Sequence, residues 1–213
     1  MSSTRIRAGE DVFAGKAIVR GFAGQIGDWF EEGLGRFRLD GDRLVVDAME
    51  GGYTAFYKKE LPADILVRYT CRVLPPEGFN NINLISHCRP PKPGQWPIVE
   101  LGRYKGYQAM PNYIVTFVSG KDEEKGIREC DGRQRLRRNP GFALIDEKMI
   151  YPSELERDYE ITFAVQSGRV RYYIDGQKIF DWQDPQPLAG GYFGLRTYKT
   201  HEVYGHFVVV RLG

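Results

Sequence analysis

The feature that most constrains the fold is a strict alternation of apolar and polar residues that stops repeatedly at two-residue turns. Apolar side chains recur at every second position from Tyr159 to Val165 and from Val170 to Ile174, and the turns Ser167-Gly168 and Asp175-Gly176 end these two runs. A period of two is typical of half-buried β-strands, and Asp-Gly favours a tight hairpin turn. This part of the chain therefore predicts antiparallel strands, and the first hairpin should bury the following residues: Ile161, Phe163, Val165, Val170, Tyr172 and Ile174.

The same alternation continues through most of the chain. Asp64 to Leu74 places five apolar residues on one face, and the turn Asp40-Gly41-Asp42 precedes another short strand. Further candidate strands lie at 80–88, 112–119 and 133–138. About a dozen strands separated by turn signals, with no sustained helical period, predict an all-β sandwich of two antiparallel sheets with helix confined to short turns.

Length and charge limit the class of protein. An all-β chain of 213 residues is commonly one domain, so we expect residues 1–213 to form a single domain. A net charge of +2 lacks the basic excess that is typical of nucleic-acid binding. No apolar run has the length of a membrane span or a signal peptide, so we expect a cytoplasmic protein without a membrane partner. The oligomeric state is not indicated.

Sequence motifs for common catalytic and metal sites are absent. The chain has no GxSxG, HExxH, P-loop or dinucleotide motif. Cys71, Cys88 and Cys130 form no CxxC pair, which favours free thiols over disulfides or metal binding. We therefore expect no metal or other cofactor.

Calcium at turn aspartates is the one alternative that the sequence leaves open. The candidates are Asp40, Asp42 and Asp175, because hard oxygen ligands cluster at turns. Ordinary turn chemistry explains these residues equally well.

Two long irregular stretches, 89–111 and 139–157, interrupt the strands, and the first is rich in aromatic and charged residues. Loops of this length in a compact domain are usually functional or disordered, and this composition argues against disorder. The strands beside them carry arginine, asparagine and tyrosine on shared faces. Asn81, Asn83 and His87 share one face if no bulge intervenes, and Arg135 and Arg137 flank Leu136.

This set of polar side chains suits a sugar ligand. Arginine and asparagine donate hydrogen bonds to hydroxyls and carboxylates, and tyrosine and tryptophan offer flat apolar faces. Outer sheet faces that are merely solvated would carry similar residues. A nucleic-acid ligand would contact the same groups, but the near-neutral net charge of the chain disfavours that ligand. The candidate ligand-binding residues are Arg68, Asn83, Trp96, Asn112, Tyr113, Arg135, Arg137 and Arg196.

Four segments and one arginine resemble a known family. The residues that carry the resemblance are YKGY at 104–107, NYIVTF at 112–117, Arg128, QRLRRNPG at 134–141 and the C-terminal stretch 159–212. They are similar to the YesU-like family of concanavalin-like proteins, which are associated with bacterial polysaccharide degradation. The resemblance covers roughly residues 50–212 and implies a jelly-roll fold and a carbohydrate context.

The leading functional hypothesis is a protein that acts on uronate-containing oligosaccharides or polysaccharides, as a lyase if it is an enzyme. β-Elimination needs a group that neutralises the carboxylate, a base and an acid. Arg135 and Arg137 suit the first task, together with Asn83 or Asn112. The candidate bases are His87 and Tyr104, and the candidate acids are Tyr107 and Tyr113.

Other functional classes remain open. Hydrolysis by two carboxylates would use Glu100 as one of them. A non-catalytic sugar-binding module would use the same cleft without a base, and a structural sandwich would pair Arg135 and Arg137 with acids. In each carbohydrate hypothesis the loop 89–111 folds over a polar sheet face and forms a cleft with the arginines.

Overall fold

The computed structural model describes residues 4–76, 78–119 and 132–213. Within these residues, sixteen strands form a nine-stranded and a seven-stranded sheet, and neighbouring strands pair antiparallel. This confirms the predicted class. Cys71 and Cys88 are buried free thiols, whereas Arg128 and Cys130 lie outside the described residues.

The nine-stranded sheet contains β1 (Thr4–Ala8), β2 (Asp11–Arg20), β4 (Arg36–Asp40), β5 (Arg43–Asp47), β7 (Ile65–Leu74), β12 (Asp158–Gln166), β13 (Arg169–Ile174), β14 (Gln177–Gln183) and β16 (His201–Leu212). The seven-stranded sheet contains β3 (Trp29–Gly33), β6 (Gly52–Leu61), β8 (Asn81–Cys88), β9 (Asn112–Val118), β10 (Arg133–Asn139), β11 (Ala143–Met149) and β15 (Gly191–Tyr198). Its strand order is β11-β10-β9-β8-β15-β6-β3.

Helix is confined to short turns in the described part of the chain, as the sequence predicts. The 3-10 turns are Ala23–Asp28 and Glu100–Gly102, and the single α-helical turn α1 is Tyr104–Tyr107. None of these helices has the length and apolar composition that crossing a membrane requires.

The main core lies between the two sheets. Every core residue predicted for the β12–β13 hairpin is buried there, as are the alternating apolar residues of β7. At both turns of β13 the two turn residues have positive φ, for example 51° at Asp175 and 77° at Gly176. These angles belong to the tight turn that matches the twist of antiparallel strands, so the hairpin register and the buried face follow from the sequence.

A second core lies on the outer face of the nine-stranded sheet, where the N-terminal hairpin β1–β2 packs. Phe13 contacts Leu66, Ala164 and Tyr173 in this cluster, and Asp11 accepts a hydrogen bond of 2.6 Å from the Tyr173 hydroxyl. The sequence pattern does not predict this hairpin. Its effect is to cover that face, so the open polar face belongs to the other sheet.

The stretch 139–157 contains a strand, which corrects the expectation of an irregular segment. Strand β11 (Ala143–Met149) pairs with β10 at the edge of the seven-stranded sheet. Its residues are exposed or only half-buried. The apolar alternation that indicates a half-buried strand is therefore missing from its sequence.

The loop 89–111 covers one half of the outer face of the seven-stranded sheet. Val99, Tyr107 and Met110 pack on Phe56 and Ile114, which point outward from β6 and β9. The other half of that face stays open beside the loop, and this asymmetry creates the cleft described next.

Candidate functional site

A cleft of about 1080 Å³ lies on the outer face of the seven-stranded sheet. Strands β8, β9, β10 and β15 form its floor, and residues 101–105 of the long loop form one wall. Pockets for drug-sized ligands span about 300–1,000 Å³, so this cleft has room for an oligomer. The floor and wall residues are Gly52, Phe79, Asn81, Asn83, Leu101, Gly102, Arg103, Tyr104, Lys105, Thr116, Val118, Arg133, Arg135, Arg196 and Tyr198.

The cleft is strongly cationic. Among the described residues that line it, Glu50 is the one carboxylate, against six positively charged side chains. The cations are Arg103, Lys105, Arg133, Arg135, Arg196 and Lys199. A concave surface lined by one sign of charge concentrates ligands of the opposite sign, so the geometry favours an anionic ligand.

Arg196 is the buried cation at the floor of this cleft. It is 3% exposed, and its Nη1 donates to Thr54 Oγ1 at 2.9 Å and to the Gly102 carbonyl at 3.0 Å. The guanidinium lies 5.2 Å from the ring centre of Tyr104 and 5.0 Å from that of Tyr107. Burial lowers the pKa of Arg196, yet arginine stays protonated in proteins. Within the described residues it forms no ion pair, although the Glu32 carboxylate beyond Tyr107 acts on its charge electrostatically.

A chain of hydrogen bonds holds Arg196 and the loop wall together. Thr54 Oγ1 lies 3.2 Å from the Tyr107 hydroxyl, which donates to the buried Glu32 carboxylate. The same carboxylate accepts the backbone N–H groups of Ile98 at 2.7 Å and Val99 at 3.0 Å. Burial raises the pKa of Glu32, and these hydrogen bonds act in the opposite direction. Glu32 thus anchors the loop and orders the donors that position Arg196.

Three polar atoms of residues lining the cleft lack a hydrogen-bond partner in the described structure. They are Asn81 Oδ1, Thr116 Oγ1 and Arg133 Nε, all buried. A buried polar group without a partner costs about 1–3 kcal/mol. Arg133 Nε also lies 3.8 Å from the Glu147 carboxylate, so Asn81 Oδ1 and Thr116 Oγ1 are the two of these atoms without either a hydrogen bond or an ion pair in the described structure.

Arg135 and Arg137 point to the cleft side of β10, as their alternation about the core residue Leu136 predicts. Arg135 lines the cleft and forms an ion pair with Glu147 on β11, its cross-strand neighbour. The Arg137 guanidinium lies 3.8 Å from the ring centre of Phe142 and donates to that residue's carbonyl. The alternative that these arginines pair with acids thus holds for Arg135, whereas the partner of Arg137 in the described structure is Phe142.

Tyr104 is the one proposed proton-transfer residue that lines the cleft. Its ring packs edge-on against Phe142 with centres 5.7 Å apart, and it faces Arg196. Burial raises the pKa of Tyr104, although Arg137, Arg196 and Arg135 oppose that effect. The hydroxyl therefore stays protonated near neutrality, which suits a hydrogen-bond donor or a general acid better than a base.

A model of one protein family covers most of the chain. The family is described as a domain of unknown function, DUF6250, and its model matches residues 47–207. The chain belongs to the DUF6250 family. No curated protein matches it.

Solved structures share the fold of this DUF6250 domain at low sequence identity. A Bacillus subtilis protein of unknown function with a galectin-like fold is 19% identical, with a TM-score of 0.73 over 99% of both chains. A carbohydrate-binding module from the same organism, CBM66, is 12% identical, with a TM-score of 0.60 over 86% of this chain and 95% of that one. The exoplasmic domain of VIP36, in a form with Ca²⁺ and Man3GlcNAc, is 12% identical, with a TM-score of 0.67 over 92% and 88%. These likenesses establish the jelly-roll fold.

A neighbour is described in a Ca²⁺-bound form, whereas two of the turn aspartates in this DUF6250 domain have other partners in the described structure. The described residues contain no group of three or more His, Cys, Asp or Glu side chains suited to a metal. Asp42 accepts the backbone N–H groups of Phe22 and Ala23, and Asp175 pairs with Arg157. These are turn and ion-pair roles, and they leave these two carboxylates no set of ligand partners.

His87 does not face the cleft, so the shared face predicted for Asn83 and His87 is wrong. Between Ile85 and Cys88, β8 advances by three residues while its partner strand β15 advances by two. The extra residue in β8 is a β-bulge. His87 has φ of 56° and turns inward against the ring of Tyr113. Its Nε2 donates to the Ala63 carbonyl at 2.9 Å, and burial lowers its pKa to about 4. It is a neutral core residue.

Asn112 and Tyr113 also have structural roles. Asn112 Nδ2 donates to the carbonyls of Tyr107 at 2.7 Å and Met110 at 2.9 Å, which ties the end of the loop to β9. Tyr113 lies in the core, where its hydroxyl donates to Asp184 at 2.6 Å. Adjacent residues on a strand point to opposite faces of the sheet, so Asn112 and Tyr113 could not both contact a ligand on one face.

Four further candidates lie outside the cleft. Trp96 packs under the loop against Phe30, Phe56 and Tyr192. Tyr107 is buried in the hydrogen-bond chain. Glu100 is exposed and does not line the cleft. Arg68 lies in the nine-stranded sheet, where it donates to Thr162 Oγ1 at 2.9 Å and to the Arg7 carbonyl.

The structure thus brings together four predicted residues, namely Asn83, Tyr104, Arg135 and Arg196, and adds others. Asn81 has the strand parity of Asn83, and Thr116 has the parity of Asn112. The alternation along these two strands is therefore a signal for both cleft residues. Arg133 continues the alternation of Arg135 by one step. Glu32 has no such signal, because its contacts are with residues more than sixty positions away.

Proposed function

We propose that the cleft binds an anionic carbohydrate, an oligosaccharide that contains uronate residues. The observation that carries the proposal is Arg196, a buried guanidinium at the cleft floor that forms no ion pair within the described residues. A sugar carboxylate would supply a direct partner through a charge-assisted hydrogen bond, in addition to the more distant Glu32 carboxylate. The atoms of Asn81 and Thr116 that lack a hydrogen bond would meet hydroxyl groups, and Arg133, which is paired with Glu147, would add a second cation.

The shape and the fold relatives support a sugar rather than a small inorganic anion. The cleft has room for an oligomer, and Tyr104 lies beside the cation as a flat surface for a sugar ring. The neighbours with this fold include a protein described as a carbohydrate-binding module and a domain described in a form with Man3GlcNAc. The finer resemblance to the YesU-like family points to the same ligand class.

β-Elimination is the second candidate, favoured by the position of Tyr104 among three guanidinium groups. In this reaction a base removes the proton beside the carboxylate, a carbon–carbon double bond forms, and the glycosidic oxygen leaves with a proton. Arg196 would neutralise the carboxylate, the lining carboxylate Glu50 would take up the first proton as the base, and Tyr104 would donate the second proton to the leaving oxygen. Hydrolysis by two carboxylates has less support, since Glu50 is the one carboxylate among the described lining residues.

Calorimetric titration tests the binding proposal. We expect oligogalacturonate to bind about tenfold or more tightly than a neutral oligosaccharide of equal length. Arg133→Gln should lower that affinity about tenfold or more, because it removes a charge-assisted contact, while the melting temperature changes little. Lys16→Gln removes one exposed charge from the nine-stranded sheet and serves as the control. Equal binding of acidic and neutral sugars would contradict the proposal.

Ultraviolet absorbance tests the lyase candidate, because elimination creates an unsaturated product that absorbs. Wild-type protein incubated with oligouronates should produce a rising signal, and Tyr104→Phe should abolish the rise while binding is retained. If sugars that bind produce no rise in absorbance, the lyase candidate is wrong and a non-catalytic binding module remains.

A further inference from the structure

Two exposed leucines lie at one end of the cationic cleft. Leu34 is 46% exposed and Leu101 is 50% exposed, and both line the cleft. The segments that carry them adjoin, because a Cβ on Gly102, the residue after Leu101, would lie 2.9 Å from the Cα of Gly33, the residue before Leu34. Isolated exposed leucines are common on protein surfaces, but here two of them form an apolar surface within a charged cleft.

Leu101 has a backbone conformation that leucine disfavours. Its φ is 54° and its ψ is 22°, which is the left-handed region. Glycine and asparagine adopt this region readily, whereas a bulkier residue there is strained. Neither turn preference nor core packing accounts for a half-exposed leucine at this position. Strain of this kind is concentrated at functional sites.

The leucine pair adjoins the buried cation. A Cβ on Gly52 would lie 3.1 Å from Nη2 of Arg196 and 3.5 Å from the Gly102 carbonyl, and a Cβ on Gly51 would lie 2.9 Å from Leu34 Cδ1. Leu34 therefore packs beside Gly51, the neighbour of the residue that adjoins Arg196, and Leu101 precedes Gly102, whose carbonyl accepts a hydrogen bond from Arg196. A ligand whose carboxylate reaches Arg196 would place its adjoining group against the leucines.

We infer that this end of the cleft selects a methyl-bearing group next to the acidic sugar. The shared chemistry is a methyl on an otherwise polar saccharide, supplied by an O-acetyl ester or by a 6-deoxy sugar. The inference rests on the proposed binding of uronate oligosaccharides and names the substituent that such a ligand carries. Burial of one methyl against leucine strengthens binding about threefold to tenfold.

The test compares matched ligands by calorimetric titration. The first pair is O-acetylated oligogalacturonate and the same sample after alkaline de-acetylation. The second pair is an acidic oligosaccharide with 6-deoxyhexose units and one with hexoses in their place. We expect the methyl-bearing member of at least one pair to bind about threefold to tenfold more tightly, and the pair that shows this identifies the source of the methyl.

Leu101→Asn separates this role from a structural one. Asparagine tolerates the left-handed region, so the variant should keep or gain thermal stability while its preference for methyl-bearing ligands falls to near one. Val12→Asn, at a residue that is 56% exposed on the N-terminal hairpin, is the control and should retain the preference. Equal affinity within both ligand pairs, or an unchanged preference in Leu101→Asn, would overturn the inference and leave uronate binding standing. Failure of every acidic oligosaccharide to bind would instead remove the proposed function, and the inference with it.

Discussion

Replacing Glu202 by Gln should remove a pH dependence of stability that its buried carboxyl group creates. Glu202 lies on β16 and is fully buried. Its Oε2 accepts the Tyr204 hydroxyl at 2.6 Å, and its Oε1 has no hydrogen-bond partner in the described structure. Burial raises the pKa of Glu202 from 4.5 to about 8, an effect that the hydrogen bond from Tyr204 opposes.

The sign and size follow from proton linkage. The folded protein keeps the Glu202 proton up to about pH 8, whereas the unfolded chain loses it above about pH 4.5. The unfolded state therefore binds fewer protons between these values, so stability falls as the pH rises through this window. At about 1.36 kcal/mol per pKa unit, the loss from about pH 5 to about pH 8 is about 4 kcal/mol.

Urea unfolding at several pH values measures this effect. Gln is neutral throughout, so the free energy of unfolding of Glu202→Gln should be close to wild type near pH 5. Relative to wild type it should then rise by about 4 kcal/mol toward pH 8. Glu10→Gln, at an exposed residue, is the control and should change stability by less than about 0.5 kcal/mol at each pH. A wild-type-to-variant difference that is constant with pH would refute the reasoning.

Two further substitutions test the core and the arginines. Phe163→Ala should lower the free energy of unfolding by about 3–5 kcal/mol, because the ring is fully buried between the sheets; a loss below about 1 kcal/mol in urea titration would show that the core is described wrongly. Arg135→Ala should lower oligouronate affinity about tenfold or more in calorimetry while stability falls by less than about 1 kcal/mol, since its pair with Glu147 is partly solvated. A destabilised protein that binds normally would assign Arg135 a structural role.

The sandwich is predictable because one side of each central strand faces the core, so apolar and polar residues alternate along the sequence of that strand. The β12–β13 hairpin combines this period with turn residues that tolerate positive φ, so its buried face was identified residue by residue. The N-terminal hairpin and β11 escaped prediction for different reasons. Phe13 packs in a small second core outside the sandwich, and β11 is too exposed to alternate.

The residues of the site were predictable where side chains alternate regularly between the two faces of a strand. Arg135 and Arg196 reach the cleft because their strands alternate regularly at those positions. Parity fails for His87, since the bulge in β8 adds a residue that no local sequence signal marks. Strand parity gives no information about contacts between residues that are far apart in the sequence. Glu32 acts on the loop through Ile98 and Val99, so folding alone brings them together.

The most direct test of the central claim is the acidic-to-neutral preference of wild type and Arg196→Gln, measured per folded molecule. The ratio of affinities for oligogalacturonate and a neutral oligosaccharide is insensitive to the fraction unfolded, so loss of a buried cation is not confused with loss of fold. A native-state preference of about tenfold or more should fall to near one in the variant. An absent preference in the wild type, or a preference that survives in Arg196→Gln, would contradict the claim that this cleft binds an anionic sugar through its buried arginine.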